Sequence, residues 1–99
     1  MSEPTLQQFE ATARAQGFDE VIERPWAPGT VVGTHSHPFD VSARVAAGEV
    51  WLTVAGHTRH LQAGDTFALD AEVPHEERYG AQGALFWVAR RHRSGTAAA

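Results

Sequence analysis

The sequence predicts an all-β fold, a small sandwich or closed barrel preceded by one short helix. Short segments in which apolar and polar residues alternate recur along most of the chain, as expected of strands with one buried face. Nine glycines and five prolines supply turns between these segments. A length of 99 residues is enough for one domain with one hydrophobic core.

The first segment, residues 2–16, favours a short helix. Thr5 and Gln8 have the spacing of a capping box, in which each residue bonds the backbone N–H of the other. Three apolar residues fall on one helical face: Leu6, Phe9 and Ala13. We therefore expect residues 1–17 to form a helix packed on a barrel of residues 18–92.

Eight short strands follow. They are predicted in residues 18–26, 30–37, 40–47, 49–55, 58–62, 66–69, 73–79 and 84–91. Gly48-Glu49 is interpreted as a turn, and Gly80 and Gly83 as the bounds of a loop. The last strand is apolar on both faces, which indicates that both faces are covered. Residues 93–99 are expected to form a disordered tail.

Two histidines in the second strand suggest a metal site. In a strand, residues two apart face the same side, so His35 and His37 present two imidazoles together. His75 ends a second strand-like segment and adds a third. Three neutral imidazoles with open positions describe a catalytic rather than a structural metal site. Two alternatives remain, a metal bound without catalysis and histidines that only line the interior.

The pattern around these histidines resembles the cupin family. The first cupin motif, G-x5-H-x-H-x3,4-E-x6-G, and the second, which runs from a glycine to a histidine, are matched at Gly29, His35, His37, Gly48, Gly64 and His75. The resemblance covers about residues 21–91. It implies a double-stranded β-helix, or jelly-roll barrel, whose histidines hold a divalent ion such as Fe, Mn, Ni or Zn.

The chain departs from the family's pattern at the acidic position. Val41 stands where the first motif has its carboxylate, and alternation turns Val41 inward. Asp40 lies one residue earlier and faces the other way in a regular strand, although a bulge after Pro38 would turn it inward. In the second motif, three residues replace the expected proline, glycine and asparagine: Asp70, Glu72 and Tyr79.

Two further residues are candidates for catalysis. Glu77 lies two residues after His75, and Tyr79 lies two further on, so a continuing strand would place both beside the metal. There Glu77 would act as a base, a partner of the ligands or a substitute ligand, and either residue would move a proton. The alternative is that the strand has ended and Glu77 is a solvated residue at the rim.

Composition narrows the functional classes. The net charge of −4 argues against nucleic-acid binding, and without cysteine there is no thiolate site or disulfide. No apolar run is long enough for a membrane span and residues 1–17 have no signal-peptide pattern, so a cytoplasmic protein is expected. Arg90, Arg91, His92 and Arg93 form a basic cluster, interpreted as a solvated strand end with anion binding as the alternative.

Two functions are compatible with these observations. The first is a metal-dependent enzyme, dioxygenase- or isomerase-like, that acts on a small polar organic molecule. The second is a non-catalytic module in which the same pocket senses a ligand or a metal. A barrel that has lost its activity is a third reading. A homodimer is expected, with Trp26, Trp51 and Trp87 as candidates for its interface and Trp87 alternatively packed against the helix.

Overall fold

The computed structural model describes residues 4–92, which form one helix and six antiparallel strands. The elements are α1 (Leu6–Ala15), β1 (Glu20–Trp26), β2 (Val31–His35), β3 (Phe39–Val54), β4 (His57–Gln62), β5 (Thr66–Leu69) and β6 (His75–His92). Among the described residues there is no helix of the length and apolar character needed to cross a membrane.

Two long strands, β3 and β6, pair with each other along most of their length. The first half of β3 (residues 41–44) also pairs with β5, and its second half (residues 49–54) pairs with β4. Likewise β6 pairs with β2 through residues 75–78 and with β1 through residues 84–90. The long strands therefore run through two four-stranded halves, β1-β6-β3-β5 and β2-β6-β3-β4.

The prediction of eight separate strands is wrong in one respect. The predicted strands 40–47 and 49–55 are parts of one strand, β3, which ends at Val54. The predicted strands 73–79 and 84–91 are likewise parts of one strand, β6, which begins at His75 and not at residue 73. The expected turn at Gly48-Glu49 is a β-bulge, because the register of β3 on β6 shifts there while the pairing continues. Glycine marks turns and bulges alike, so the sequence does not distinguish them.

The irregular register near Gly48 changes which residues of β3 are buried. Before it, Ala43 and Val45 are 1% and 0% exposed, and after it Val50 and Leu52 are 1% and 3% exposed. The buried positions thus change from odd to even numbers. Both sets join one core cluster, so the irregularity keeps the apolar face of each half directed to the same interior.

Three strands approach each other closely at two glycines. A Cβ on Gly48, whose φ is +78°, would lie 2.1 Å from the carbonyl oxygen of Gly83. A Cβ on Gly83, with φ +70°, would lie 2.3 Å from the carbonyl oxygen of Trp26. Only glycine fits both the conformation and the space at these positions.

Helix α1 packs on the outer face of β6. Its predicted capping box is confirmed, since Thr5 and Gln8 exchange hydrogen bonds of 3.1 and 2.8 Å, and the helix begins at Leu6 rather than at residue 2 because Thr5 is the N-cap. The ring of Phe9 lies 6.0 Å from that of Trp87, which covers the second apolar face predicted for this strand. Residues 1–3 and the predicted tail, 93–99, lie outside the described residues.

Candidate metal centre

Three imidazoles converge where β2 and β6 meet. His35 ends β2 and is paired in register with His75, the first residue of β6. His37 lies just beyond β2, where its carbonyl accepts a 2.7 Å hydrogen bond from the N–H of Glu72. One ring nitrogen from each histidine lies within 4.8 Å of the other two. The structure therefore brings the three predicted residues together, although His37 is in a connection and not in the predicted strand.

Hydrogen bonds to the backbone fix the orientation of two of these rings. Nδ1 of His35 donates to the carbonyl of Gly33 at 2.8 Å, and Nδ1 of His75 donates to the carbonyl of Val73 at 2.9 Å. A carbonyl only accepts, so in each neutral ring the hydrogen is on Nδ1 and Nε2 keeps its lone pair. This arrangement is the one by which proteins prepare histidines for metal binding.

Glu77 lies at the same point. It is 9% exposed, and its Oε2 is 3.5 Å from Nε2 of His35 and 3.4 Å from Nε2 of His75. Lone pairs on all three atoms repel unless a cation lies between them. Ligands bound at 2.0–2.1 Å to a tetrahedral ion are about 3.4 Å apart, so these residues fit a divalent metal. The interpretation of Glu77 as a solvated rim residue is wrong, because β6 continues through it.

Tyr79 supports the other oxygen of Glu77. Its phenol donates a hydrogen bond to Oε1, and its ring stacks on Trp26 with a centroid distance of 4.6 Å. Burial raises the pKa of Tyr79 far above its ordinary value, and the hydrogen bond and charge of Glu77 raise it further. Tyr79 therefore keeps its proton and acts as a fixed donor.

His37 is held in the neutral form. Burial lowers its pKa, and the neighbouring imidazoles of His35 and His75 lower it further. Its ring also lies parallel to that of Phe39, with centroids 4.9 Å apart. A neutral imidazole is the form that binds metal ions.

Asp40 does not line this site. Its carboxylate accepts hydrogen bonds from the N–H of Ala71 at 2.7 Å and from Nε of Arg91 at 3.0 Å. Val41 faces the cavity instead, as alternation predicts. The bulge that would have turned Asp40 inward is therefore absent, and the carboxylate of the site comes from Glu77 on another strand.

The three histidines and Glu77 lie in the wall of a cavity of about 190 Å³. The half formed by β1, β6, β3 and β5 contributes the apolar residues of its wall: Phe39, Val41, Phe67, Leu69, Phe86 and Val88. Arg24, Trp26 and Arg90 also line the cavity, which the sequence analysis did not anticipate. Trp26 therefore lies in the cavity wall, and Arg90 is not simply a solvated strand end. Alternation within β1 places Arg24 and Trp26 on one face and was the signal available.

Comparisons with known proteins support this fold. The sequence model of the cupin domain family matches residues 25–89. The HTH-type transcriptional regulator PuuR of Escherichia coli K12 is 34% identical over 56 residues, which cover 56% of this chain and 30% of the regulator. The chain thus matches less than a third of that protein.

Solved structures show the same architecture. A RmlC-like cupin from Shewanella frigidimarina superposes with a TM-score of 0.66 at 22% identity, covering 81% of this chain and 72% of that one. A chain from the crystal structures of the DMSP lyases RdDddP and RnDddQII gives a TM-score of 0.66 at 25% identity, covering 72% and 37%. The predicted all-β jelly roll with one short helix is confirmed, and the chain belongs to the cupin domain family.

Proposed function

We propose that this protein is a metal-dependent enzyme that acts on a small polar organic molecule. The observation that carries the proposal is the meeting of three histidine nitrogens with Oε2 of Glu77 in the wall of a cavity. His35, His37 and His75 would hold one divalent ion, such as Fe, Mn, Ni or Zn. Such an ion supplies a Lewis acid or redox centre with open positions for a substrate.

Glu77 and Tyr79 act together in this proposal. The phenol of Tyr79 holds Oε1 of Glu77, which leaves Oε2 directed at His35 and His75. From that place Glu77 takes a proton from a bound substrate or completes the ligand set, and Tyr79 keeps the carboxylate oriented. The metal content of a Glu77→Gln variant separates the two roles. If Glu77 is a ligand, the variant should bind less metal, and if it is only a base, the metal content should not change.

The reaction is expected to be dioxygenase- or isomerase-like. Oxygen uptake by the iron-loaded protein with a panel of thiols and diketones tests the first reaction type, and conversion of sugar and keto acid isomers by the Mn, Ni and Zn forms tests the second. Glu77→Gln should abolish turnover. The matched control is Glu76→Gln, because Glu76 is the exposed neighbour on the same strand. The proposal is contradicted if both variants lose activity. It is also contradicted if the wild type turns over no compound in its Fe, Mn, Ni or Zn form.

A sensing module is the second candidate, favoured by the similarity to a transcriptional regulator. In that case the same cavity binds a small molecule, the ion orients it, and no product forms. Binding of a compound from the panel without any conversion, measured by calorimetry and by mass spectrometry of the recovered compound, is the expected result. Release of a converted compound excludes this candidate.

We further propose a homodimer located in the cytoplasm. The outer face of the β4-bearing half presents Trp51, whose ring is stacked between His60 and the guanidinium of Arg78, each at 4.4 Å. This rigid aromatic surface is suited to contact a second copy of the chain. Light scattering of the wild type should give twice the mass of the chain, and the Trp51→Glu variant should give the mass of a single chain. A monomeric wild type contradicts the dimer.

A further inference from the structure

We infer that the cavity takes a small organic anion whose carboxylate is bound by Arg90 and Arg24. The inference rests on the proposed function, because it names the class of molecule for the same site. It is argued from other residues of the cavity wall, which play no part in holding the three histidines or Glu77.

The charges of the lining favour an anion. Two guanidinium groups, those of Arg24 and Arg90, line the cavity together with one carboxylate, that of Glu77. A divalent ion on neutral histidines would make the interior still more positive. A negative ligand balances this excess inside a partly enclosed space.

Two donors of the wall have no acceptor. Nε of Arg90 and Nε1 of Trp26 are buried and without a hydrogen-bond partner among residues 4–92. Buried donors are nearly always paired, and an unpaired one on a charged group is especially unfavourable. A third donor of this kind, Nε1 of Trp87, belongs to a residue that does not line the cavity. Both atoms are covered in this structure, so a ligand carboxylate pairs with them only if the side chains shift on binding.

Both guanidinium groups are held in position by aromatic rings. The guanidinium carbon of Arg24 lies 4.0 Å from the centre of the Trp26 ring, and that of Arg90 lies 4.8 Å from the centre of the Phe39 ring. Stacking of this kind restricts the side chains through their faces. NH1 of Arg24 is also held by the carbonyl of Pro25, to which it donates at 3.2 Å. The planar groups are therefore preorganised for a carboxylate, which arginine binds through two parallel hydrogen bonds.

The acidic residue nearest Arg90 is only a loose partner. Oε1 of Glu20 lies 3.6 Å from NH1 of Arg90, which is longer than a hydrogen bond. The same oxygen is 3.1 Å from Nε2 of His92. The side chain of Glu20 is 41% exposed on the edge strand β1, so water partly screens its charge. Arg90 is therefore paired with Glu20 through one long contact, and its remaining N–H groups are those that a ligand would use.

The size of the cavity limits the anion. Its volume of about 190 Å³ is a little more than the roughly 150 Å³ that accommodates one benzene molecule. The apolar part of the wall, which includes Phe67, Phe86 and Val88, suits a short chain or a single ring. The ligand class is therefore a monocarboxylate with one small apolar group.

Matched pairs of probes test this inference. Benzoate and benzamide have the same shape, as do propionate and propionamide, but only the carboxylates are charged. Calorimetric titrations of the zinc-loaded and the chelator-treated protein should show that at least one carboxylate binds about tenfold more tightly than its amide. Arg90→Gln should remove most of this preference, and Arg24→Gln should reduce it, without a change in zinc content.

Controls separate this inference from the proposed function. Arg78→Gln changes an arginine on the outer face of the same strand and should leave the preference intact. Arg90→Lys keeps the charge but not the fork, so it should give an intermediate value even if Arg90→Gln folds poorly. Equal binding of acid and amide, binding of neither carboxylate, or an unchanged preference in both Arg90 variants overturns the inference. If the wild-type protein prefers the carboxylate but takes up no zinc when zinc is supplied, the result contradicts the metal-dependent function and leaves this inference standing.

Discussion

Replacement of Gly48 by alanine should destabilise the domain much more than the same replacement at Gly56. The two glycines have nearly identical backbone conformations, with φ of +78° and +79°. At Gly56 nothing lies within 4 Å of the added Cβ, whereas at Gly48 the nearest atom is a backbone oxygen at 2.1 Å. The pair therefore separates the cost of the conformation from the cost of the close approach of β3 to β6.

The expected difference follows from these two costs. A left-handed conformation costs an L-residue about 1–2 kcal/mol, and both variants bear that cost. The Cβ at Gly48 would lie about 0.9 Å inside the 3.0 Å below which real contacts are essentially never found (3.0 minus 2.1), and only backbone can yield. Overpacking of this kind adds about 1–3 kcal/mol. We expect a difference of about 2 kcal/mol, a large share of the stability of a small domain.

Urea unfolding monitored by tryptophan fluorescence measures this difference. The protein is kept in a chelator, because a metal bound only to the folded state would raise the apparent stability of both variants. The midpoint of Gly48→Ala should lie roughly 1 M below that of Gly56→Ala with an unchanged slope. Equal midpoints would show that the strands do not meet at this bulge, and would refute the account of how the two halves are joined.

Three other variants test the core and the surroundings of the site. Asp40→Asn should cost about 1 kcal/mol, since its partner Arg91 is half exposed, and should leave metal content unchanged, whereas a loss of metal would make Asp40 a ligand. Tyr79→Phe should lower turnover by about tenfold because Glu77 loses its fixed orientation, and unchanged turnover would remove Tyr79 from the site. Leu52→Ala, at a position only 3% exposed, should lower the unfolding free energy by about 2–5 kcal/mol, and a loss under 1 kcal/mol would place Leu52 outside the core.

The sequence was most informative where chemistry depends on residue type. Histidines at 35, 37 and 75 were recognised because few roles require three imidazoles at such positions, and the structure brings them together. The capping box of Thr5 and Gln8 was equally clear, because it is a local pattern of two residues. Neither inference needed a knowledge of how distant strands pair.

Features that depend on strand register were harder to predict. Whether Glu77 is buried beside the histidines or exposed at the rim depends on whether the strand continues after His75. The strand β6 extends to His92, so Glu77 is buried. Gly48 looked like a turn because a bulge in one long strand leaves the same local signal. The place of Arg24 and Trp26 in the cavity wall was not predicted, because β1 is at the edge of its half, where an inward-facing residue need not be apolar.

Anomalous scattering from crystals of the zinc- or iron-loaded protein tests the metal centre most directly. We predict one peak per chain, about 2.0–2.1 Å from Nε2 of His35, Nε2 of His75 and a ring nitrogen of His37. Elemental analysis of the same preparation should give one equivalent of metal, which His75→Ala loses and His57→Ala, an exposed control, retains. A peak elsewhere, no peak, or metal content that His75→Ala does not change would contradict the metal centre and the function proposed from it.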